Sequence, residues 1–147
     1  MALISMFIGL SILFFVGDQI SKMLAETYLS SQDIPILQDL FRFHLSYNSN
    51  LALSLPFPLW AQISLSLALL IGMGIYFFWL HPVRTFPEIL AVSLILGGAL
   101  GNLMDRILQG KVVDFIAVWK FPVFNLADTW IFLGVSFFLL REIFWKK

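Results

Sequence analysis

Two aspartates in apolar surroundings, Asp114 and Asp128, have the residue type and the spacing to do chemistry together. They lie 14 residues apart and flank one short connection. Two carboxyl groups that meet in such surroundings cannot both ionise cheaply, so they share one proton. The ionised carboxyl then takes a proton from water, while the protonated one donates to a peptide carbonyl. The pair therefore has the equipment for amide hydrolysis without a metal, a cofactor or a covalent intermediate.

A structural interpretation is open for part of this pair. Asn125 precedes Asp128 by three residues at the start of an apolar stretch, so it is suited to capping a helix there. Asp128 would then be a first-turn acid that complements the helix dipole. Asp114 has no such explanation, and it is the presence of both acids that favours catalysis.

Two further polar clusters lie near the end of the first predicted helix and shortly before the second one. Asp18 and Lys22 are four residues apart, on one helical face, and fit either a structural ion pair or a functional role. Asn48 opens the amide-containing run 48–54, which can hold a peptide backbone, either a substrate's or the chain's own.

A glycine-rich segment supplies the last polar cluster. Gly97 and Gly101 have the small-xxx-small spacing that allows close helix packing. Asn102 and Arg106 follow on one helical face, one turn apart. A functional role and a structural role fit these two residues equally well. Asp105 beside Arg106 fits a purely structural role.

The composition indicates a membrane protein. The 147 residues are 60% hydrophobic and 12% charged, with a formal net charge of zero, so lipid must be the solvent of much of the surface and nothing suggests nucleic acid. The absence of cysteine excludes disulfides, thiolate metal sites and a cysteine nucleophile. His44 and His81 lie far apart in sequence, so no metal site is expected.

The charged residues divide the chain into four largely uncharged runs, which predict four transmembrane helices. The first and third runs are short, so those two helices are expected to continue into polar sequence. The expected fold is a single domain over residues 1–147, a membrane all-α bundle of four transmembrane helices with a small extramembrane β-sheet. The predicted helices cover roughly residues 3–24, 58–80, 88–106 and 122–141.

A surface β segment is predicted over roughly residues 36–56. Apolar and polar residues alternate in part of it, which is typical of a strand with one apolar face. We expect that face to rest on lipid or on the bundle, and the strand's other edge to lie near the aspartates and hold an extended peptide. A hairpin that merely caps the bundle fits the pattern equally well. The apolar positions are Phe41, Phe43, Leu45 and Tyr47.

Taken in order along the chain, these segments resemble the bacterial lipoprotein signal peptidases (signal peptidase II), an aspartic peptidase family. The resemblance covers nearly the whole chain and rests on residues 18–22, 97–106, 112–115 and 124–128. The run 48–54 departs from the family's usual Asn-x-Gly-Ala-Ala-Phe-Ser, because positions 50, 51 and 53 hold Asn, Leu and Leu.

The resemblance implies an activity that spacing alone does not. It implies removal of the signal peptide from diacylglyceryl-modified prolipoproteins, just before the lipidated cysteine, with Asp114 and Asp128 as the catalytic dyad and no cofactor or metal. It also implies contact with membrane lipid and binding of globomycin-type peptide inhibitors. Supporting or substrate-binding roles are implied for Asp18, Lys22, Asn48, Asn102, Arg106, Asn125 and Ala127.

The resemblance further implies an orientation that the distribution of charge leaves open. It places the chain in the bacterial cytoplasmic (inner) membrane as a multi-pass protein, with both termini cytoplasmic. The sheet and the active site would lie near the outer, periplasmic face. Two other classes remain to be separated from a peptidase: a small transporter or proton-coupled carrier, which predicts charges near mid-membrane in several helices, and a non-catalytic assembly factor, which predicts no loss of function on Asp→Asn substitution.

Overall fold

Four long helices and a three-stranded sheet make up the fold. The computed structural model describes residues 2–37, 40–50, 57–80 and 85–145. The helices are α1 (Ala2–Tyr28), α2 (Leu59–Ile75, continued by a π-helical segment Tyr76–Leu80), α3 (Phe86–Gln109) and α4 (Leu126–Trp145).

Three helical stretches of the described chain are long and apolar enough to cross a membrane: Leu3–Tyr28, Leu59–Trp79 and Phe86–Gln109. The fourth helix, α4, has 20 residues, but it includes Asp128 and Arg141. The prediction of a membrane helix bundle with a small sheet is thus confirmed, and three of its four predicted spans meet these criteria.

The observed helix ends differ from the predicted ones for local reasons. α3 begins earlier than residue 88, because the Thr85 amide donates to the Glu88 carboxylate (2.7 Å) and so caps the first turn. It ends at Gly110, whose φ of +70° is the left-handed conformation that glycine adopts at helix ends. α4 begins at Leu126 instead of residue 122, because Phe124 pairs with Ile116 in an extended bridge.

Glycines let α3 lie close against α1 and α4. A Cβ atom at Gly97 would lie 2.8 Å from the carbonyl oxygen of Ser11, and one at Gly101 would collide with the Asp18 carboxylate. A Cβ at Gly98 would lie 2.5 Å from the carbonyl oxygen of Ala127 in α4. The predicted packing role of the small-xxx-small pair is therefore confirmed, and α3 is the central helix of the site.

The sheet is antiparallel in the order β1-β2-β3, formed by Ile34–Leu37, Phe41–Asn48 and Val112–Val118. The surface segment predicted over 36–56 contains the second half of β1 and all of β2, whereas residues 38–39 and 51–56 lie outside the described chain. The sequence pattern does not predict the third strand, because residues 112–118 lie in the connection between two predicted helices.

The prediction that β2 has a free edge beside the aspartates is wrong. β2 is the central strand, and its edge next to Asp114 pairs with β3, with Ser46 opposite Asp114 and Asn48 opposite Val112. That edge is therefore filled by the chain's own backbone and is not open to an extended peptide.

The apolar face of β2 rests on the helix bundle along part of its length. Phe43 and Leu45 pack against a buried cluster of Ala25, Leu29 and Phe115. Tyr47, at the far end, is 46% exposed. The sheet is thus attached to the end of α1, and this attachment places β3 and Asp114 above the bundle.

Candidate active site

Asn125 brings the two aspartates predicted as a pair to one place. Its side-chain amide donates to Asp114 Oδ1 (2.7 Å), and its backbone amide donates to Asp128 Oδ2 (3.4 Å). The Asp128 amide in turn donates to Asn125 Oδ1 (2.9 Å), which is the predicted helix cap. The side chain of Asn125 is fully buried. β3 and the start of α4 therefore hold Asp114 and Asp128 around one shared asparagine.

Asp114 is a buried carboxyl whose environment favours the protonated form. Burial raises its pKa to about 7, and the negative charge of Asp128 acts in the same direction. Hydrogen bonds from Asn48 (3.2 Å to Oδ2) and Asn125 oppose this shift without cancelling it. Asp114 therefore exchanges a proton near neutral pH, as a general acid of this kind requires.

Asn102 joins the pair to a second charged cluster. Its amide nitrogen donates to Asp128 Oδ1 (2.8 Å), and its oxygen accepts from Asn125 (3.1 Å) and from Lys22 Nζ (3.0 Å). Because the oxygen is held by two donors, the nitrogen must face Asp128. Asn102 thus fixes the orientation of the Asp128 carboxylate.

The second cluster is a buried ion-pair network on the opposite side of Asn102. Lys22 Nζ lies 2.7 Å from Asp18 Oδ2 and 2.8 Å from Asp105 Oδ2, and all three side chains are buried. The other oxygen of Asp18 accepts from the Ala127 amide (2.9 Å) at the start of α4. These contacts match the structural interpretation of Asp18 and Lys22, and Ala127 contributes through its backbone.

Arg106 supplies positive charge to the site. Its Nη1 donates to the carbonyl oxygen of Asn102 (3.2 Å), and its charge acts on both Asp114 and Asp128. It therefore lies where negative charge on the pair, or on a bound substrate, would be offset. Within the described residues, no group of three or more His, Cys, Asp or Glu side chains is arranged to hold a metal ion.

Sequence reasoning missed one residue that contacts this site. Gln62 of α2 is 1% exposed and accepts a hydrogen bond from Arg106 Nε (2.8 Å). The signal was available, since a lone amide in the apolar run 58–80 is costly in lipid and needs a partner. Because the run as a whole predicts a membrane span, the amide within it is not identified as a site residue from the sequence pattern.

The sequence matches known proteins along most of its length. A family model described as signal peptidase (SPase) II matches residues 10–144. A lipoprotein signal peptidase of Acinetobacter baumannii is 41% identical, with 95% of this chain and 84% of that protein covered. The one from Pseudomonas paraeruginosa is 38% identical, with 94% and 88% covered, and that of a Sulfurihydrogenibium species is 34% identical, with 96% and 93% covered.

The fold agrees as well. A solved bacterial membrane enzyme superposes with a TM-score of 0.87 at 26% identity, covering 98% of this chain and 93% of that one. A second solved bacterial membrane enzyme gives a TM-score of 0.86 at 25% identity, covering 97% and 96%. The family model spans nearly the whole sequence and includes every polar residue placed in the site above. This chain therefore belongs to the signal peptidase II family.

Proposed function

We propose that the chain is a membrane aspartic endopeptidase that removes the signal peptide from diacylglyceryl-modified prolipoproteins, with Asp114 and Asp128 as its catalytic dyad. Family membership supports a peptidase that removes signal peptides from prolipoproteins, and the comparisons give no support to a transporter. The observation that carries the aspartic mechanism is the buried Asp114, whose pKa is raised to about 7 beside Asp128.

The proposed reaction needs one proton on the pair. Asp128, ionised and oriented by Asn102, takes a proton from a water molecule whose oxygen attacks the peptide carbonyl carbon. Asp114 gives its proton to the carbonyl oxygen. When the C–N bond breaks, the leaving nitrogen takes the proton from Asp128, and Asp114 recovers its own from the collapsing intermediate. Every proton is thus returned, and no covalent intermediate is formed.

The remaining site residues support this chemistry by position. Asn48 and Asn125 each donate to Asp114 and set the direction of its two oxygens. Arg106 offsets the negative charge that develops on the carbonyl oxygen. Asp18 and Lys22, with the Ala127 amide, hold the start of α4 and thereby the height of Asp128.

The membrane supplies part of substrate positioning in this proposal. The diacylglyceryl chains of the precursor stay in the bilayer, which fixes the depth of the scissile bond and turns the encounter into a two-dimensional search. The chain would cross the inner membrane four times with both termini in the cytoplasm, so that the sheet and the dyad lie near the outer face. Globomycin-type peptides would inhibit by occupying the dyad.

The test is cleavage of a defined precursor by the purified protein in lipid–detergent micelles. Lipidated and unlipidated forms of one prolipoprotein are compared under the same conditions. We expect cleavage before the modified cysteine, and a far slower reaction without diacylglycerol, because a small surface sheet alone offers little to bind a peptide. Equal rates for the two forms would contradict the proposed substrate class and indicate a general membrane protease.

A further inference from the structure

Gln62 is a buried amide in a helix whose other residues are half-buried or exposed. Among the residues of α2, all of which the structure describes, Gln62 alone is buried. It lies one turn after the helix begins at Leu59, on the side that meets α3. A buried amide needs partners for its hydrogens and for its oxygen, because unpaired polar groups are costly away from water.

All the hydrogen atoms of this amide are used, and they bind two separated points of the chain. Nε2 donates to the carbonyl oxygen of Ser49 (3.0 Å) and to that of Phe57 (2.7 Å). Oε1 accepts from Arg106 Nε (2.8 Å). One side chain therefore ties together the residue after β2, the residue that leads into α2, and the cation of the site.

Two of these three contacts, those with Ser49 and with Arg106, connect Gln62 to the pair of aspartates. Ser49 follows Asn48, whose side chain donates to Asp114 Oδ2 (3.2 Å). The positive charge of Arg106 acts on both aspartates. The Nε bond to Gln62 and the Nη1 bond to the carbonyl oxygen of Asn102 together hold the guanidinium plane of Arg106. Displacing Gln62 would therefore disturb the dyad from two directions at once.

We propose that Gln62 is a positioning residue of the peptidase, which fixes the Arg106 guanidinium toward the dyad and fixes Ser49, and with it Asn48, against Asp114. The inference rests on the proposed function. An amide is the side chain that fits this position, because its two donors face carbonyl oxygens and its acceptor faces a cation. A carboxylate would keep the acceptor and lose both donors, and a thioether of similar length would lose all three bonds.

These differences give the variants distinct kinetic signatures. Gln62→Met should lower kcat/KM by about tenfold or more, with kcat reduced as well, because Arg106 loses a charge-assisted hydrogen bond. Gln62→Glu keeps the partner of Arg106 and releases only Ser49, and with it Asn48, so its kcat should fall by less than that of Gln62→Met. Its KM should rise by about tenfold, because Ser49 and Asn48 are released.

Ser66→Ala is the matched control. Ser66 lies one turn further along α2 and donates only to the carbonyl oxygen of Gln62 (2.9 Å). Its loss should leave both kinetic constants at the parental values. If Gln62→Met and Gln62→Glu change kcat and KM by the same factors, Gln62 is only structural and the inference is wrong. Parental constants in Gln62→Met would overturn it as well, while leaving the peptidase function standing.

A second measurement does not depend on activity. The chain has no cysteine, so Ser49→Cys and Phe57→Cys introduce the only two thiols for nitroxide labels. With Gln62 present, we expect dipolar broadening of the electron paramagnetic resonance spectrum, since both backbones are held by one amide. With Gln62→Met the broadening should decrease. An unchanged spectrum would contradict the tether, whether or not the parent cleaves precursor; a parent that fails to cleave would count against the proposed function alone.

Discussion

Two clusters of acidic side chains that share Asn102 differ in how their charge is compensated; Asp18, Asp105 and Asp114 are buried, and Asp128 is half-buried. In one, Asp18 and Asp105 both bind Lys22, at 2.7 and 2.8 Å. In the other, Asp114 and Asp128 receive hydrogen bonds from amides, and Arg106 donates its hydrogen bonds to Gln62 and Asn102. The difference separates a cluster that holds the fold from one that can exchange a proton.

The contrast follows from elementary electrostatics. Removing the cation of a buried ion pair leaves an uncompensated charge in the interior, which destabilises the fold. A carboxyl that is buried beside a second acid takes up a proton instead. Burial and Asp128 together raise the pKa of Asp114 to about 7. The predictions below are ways to break this contrast, beginning with the largest expected effect.

The largest effect is expected at the proton-exchanging pair. Asp114→Asn and Asp128→Asn should each lower cleavage of lipidated precursor by about 10²- to 10⁴-fold, because an amide keeps the shape but serves as neither acid nor base. The folded fraction, measured by thermal unfolding in detergent, should be preserved. Asp33→Asn, which alters an exposed carboxylate of the sheet region, is the control and should cleave normally. Normal turnover by either variant would contradict the assignment of Asp114 and Asp128 as the catalytic dyad.

The ion-pair cluster should respond in stability instead of chemistry. Lys22→Met leaves Asp18 and Asp105 buried without their cation, which should destabilise the protein by about 3–5 kcal/mol. Unfolding by denaturant in mixed micelles measures this change. Lys111→Met, which removes a cation lying 3.5 Å from the Tyr47 ring centroid at the surface, should change stability by about 1 kcal/mol or less. Similar stabilities for the two variants would show that the Lys22 network does not hold the fold.

A smaller effect is expected where α3 approaches the ion-pair cluster. Gly101→Ala places a methyl group against the Asp18 carboxylate, and it should destabilise the protein by about 1–3 kcal/mol. Gly17→Ala is the matched helix variant, because nothing lies within 4 Å of its added methyl group. It should be neutral or stabilising by up to about 1 kcal/mol. Equal melting temperatures for the two variants would contradict the close approach of α3 to α1.

The smallest effect is expected at the exposed side chain of Tyr47 on β2. Tyr47→Phe removes a hydrogen bond from the phenol to the Glu26 carboxylate (3.2 Å) at the surface. Stability should change by less than about 0.5 kcal/mol, and cleavage should be unaffected. A marked loss of activity would indicate that this end of β2 contacts the substrate.

The helices and the meeting of the two aspartates could be predicted because their signals are local. Long apolar runs predict spans, and two acids beside apolar residues around a short connection predict a meeting point. The asparagine cap was likewise readable from its spacing to Asp128. The third strand was not, because 112–118 forms a strand through pairing with β2, which lies far away in sequence.

The parts of the site that sequence did not reveal depend on contacts between distant segments. Asp105 beside Arg106 reads as a local feature, yet it binds Lys22 of α1. Gln62 meets Arg106 of α3 and two carbonyl oxygens outside its helix. Neither partnership has a spacing that a single sequence displays, so only the packed structure defines them.

The central claim, that Asp114 holds a proton near neutral pH, is tested most directly by infrared titration of the carboxyl groups. Below pH 7, the folded protein should show the C=O stretch of a protonated buried carboxyl, which disappears as pH rises through about 7. Since the acid form is lost in that range, kcat/KM should fall on the same alkaline limb, and the infrared band should be absent in Asp114→Asn. A carboxyl signal that titrates only near the ordinary aspartate pKa of about 4 would contradict the shared-proton mechanism.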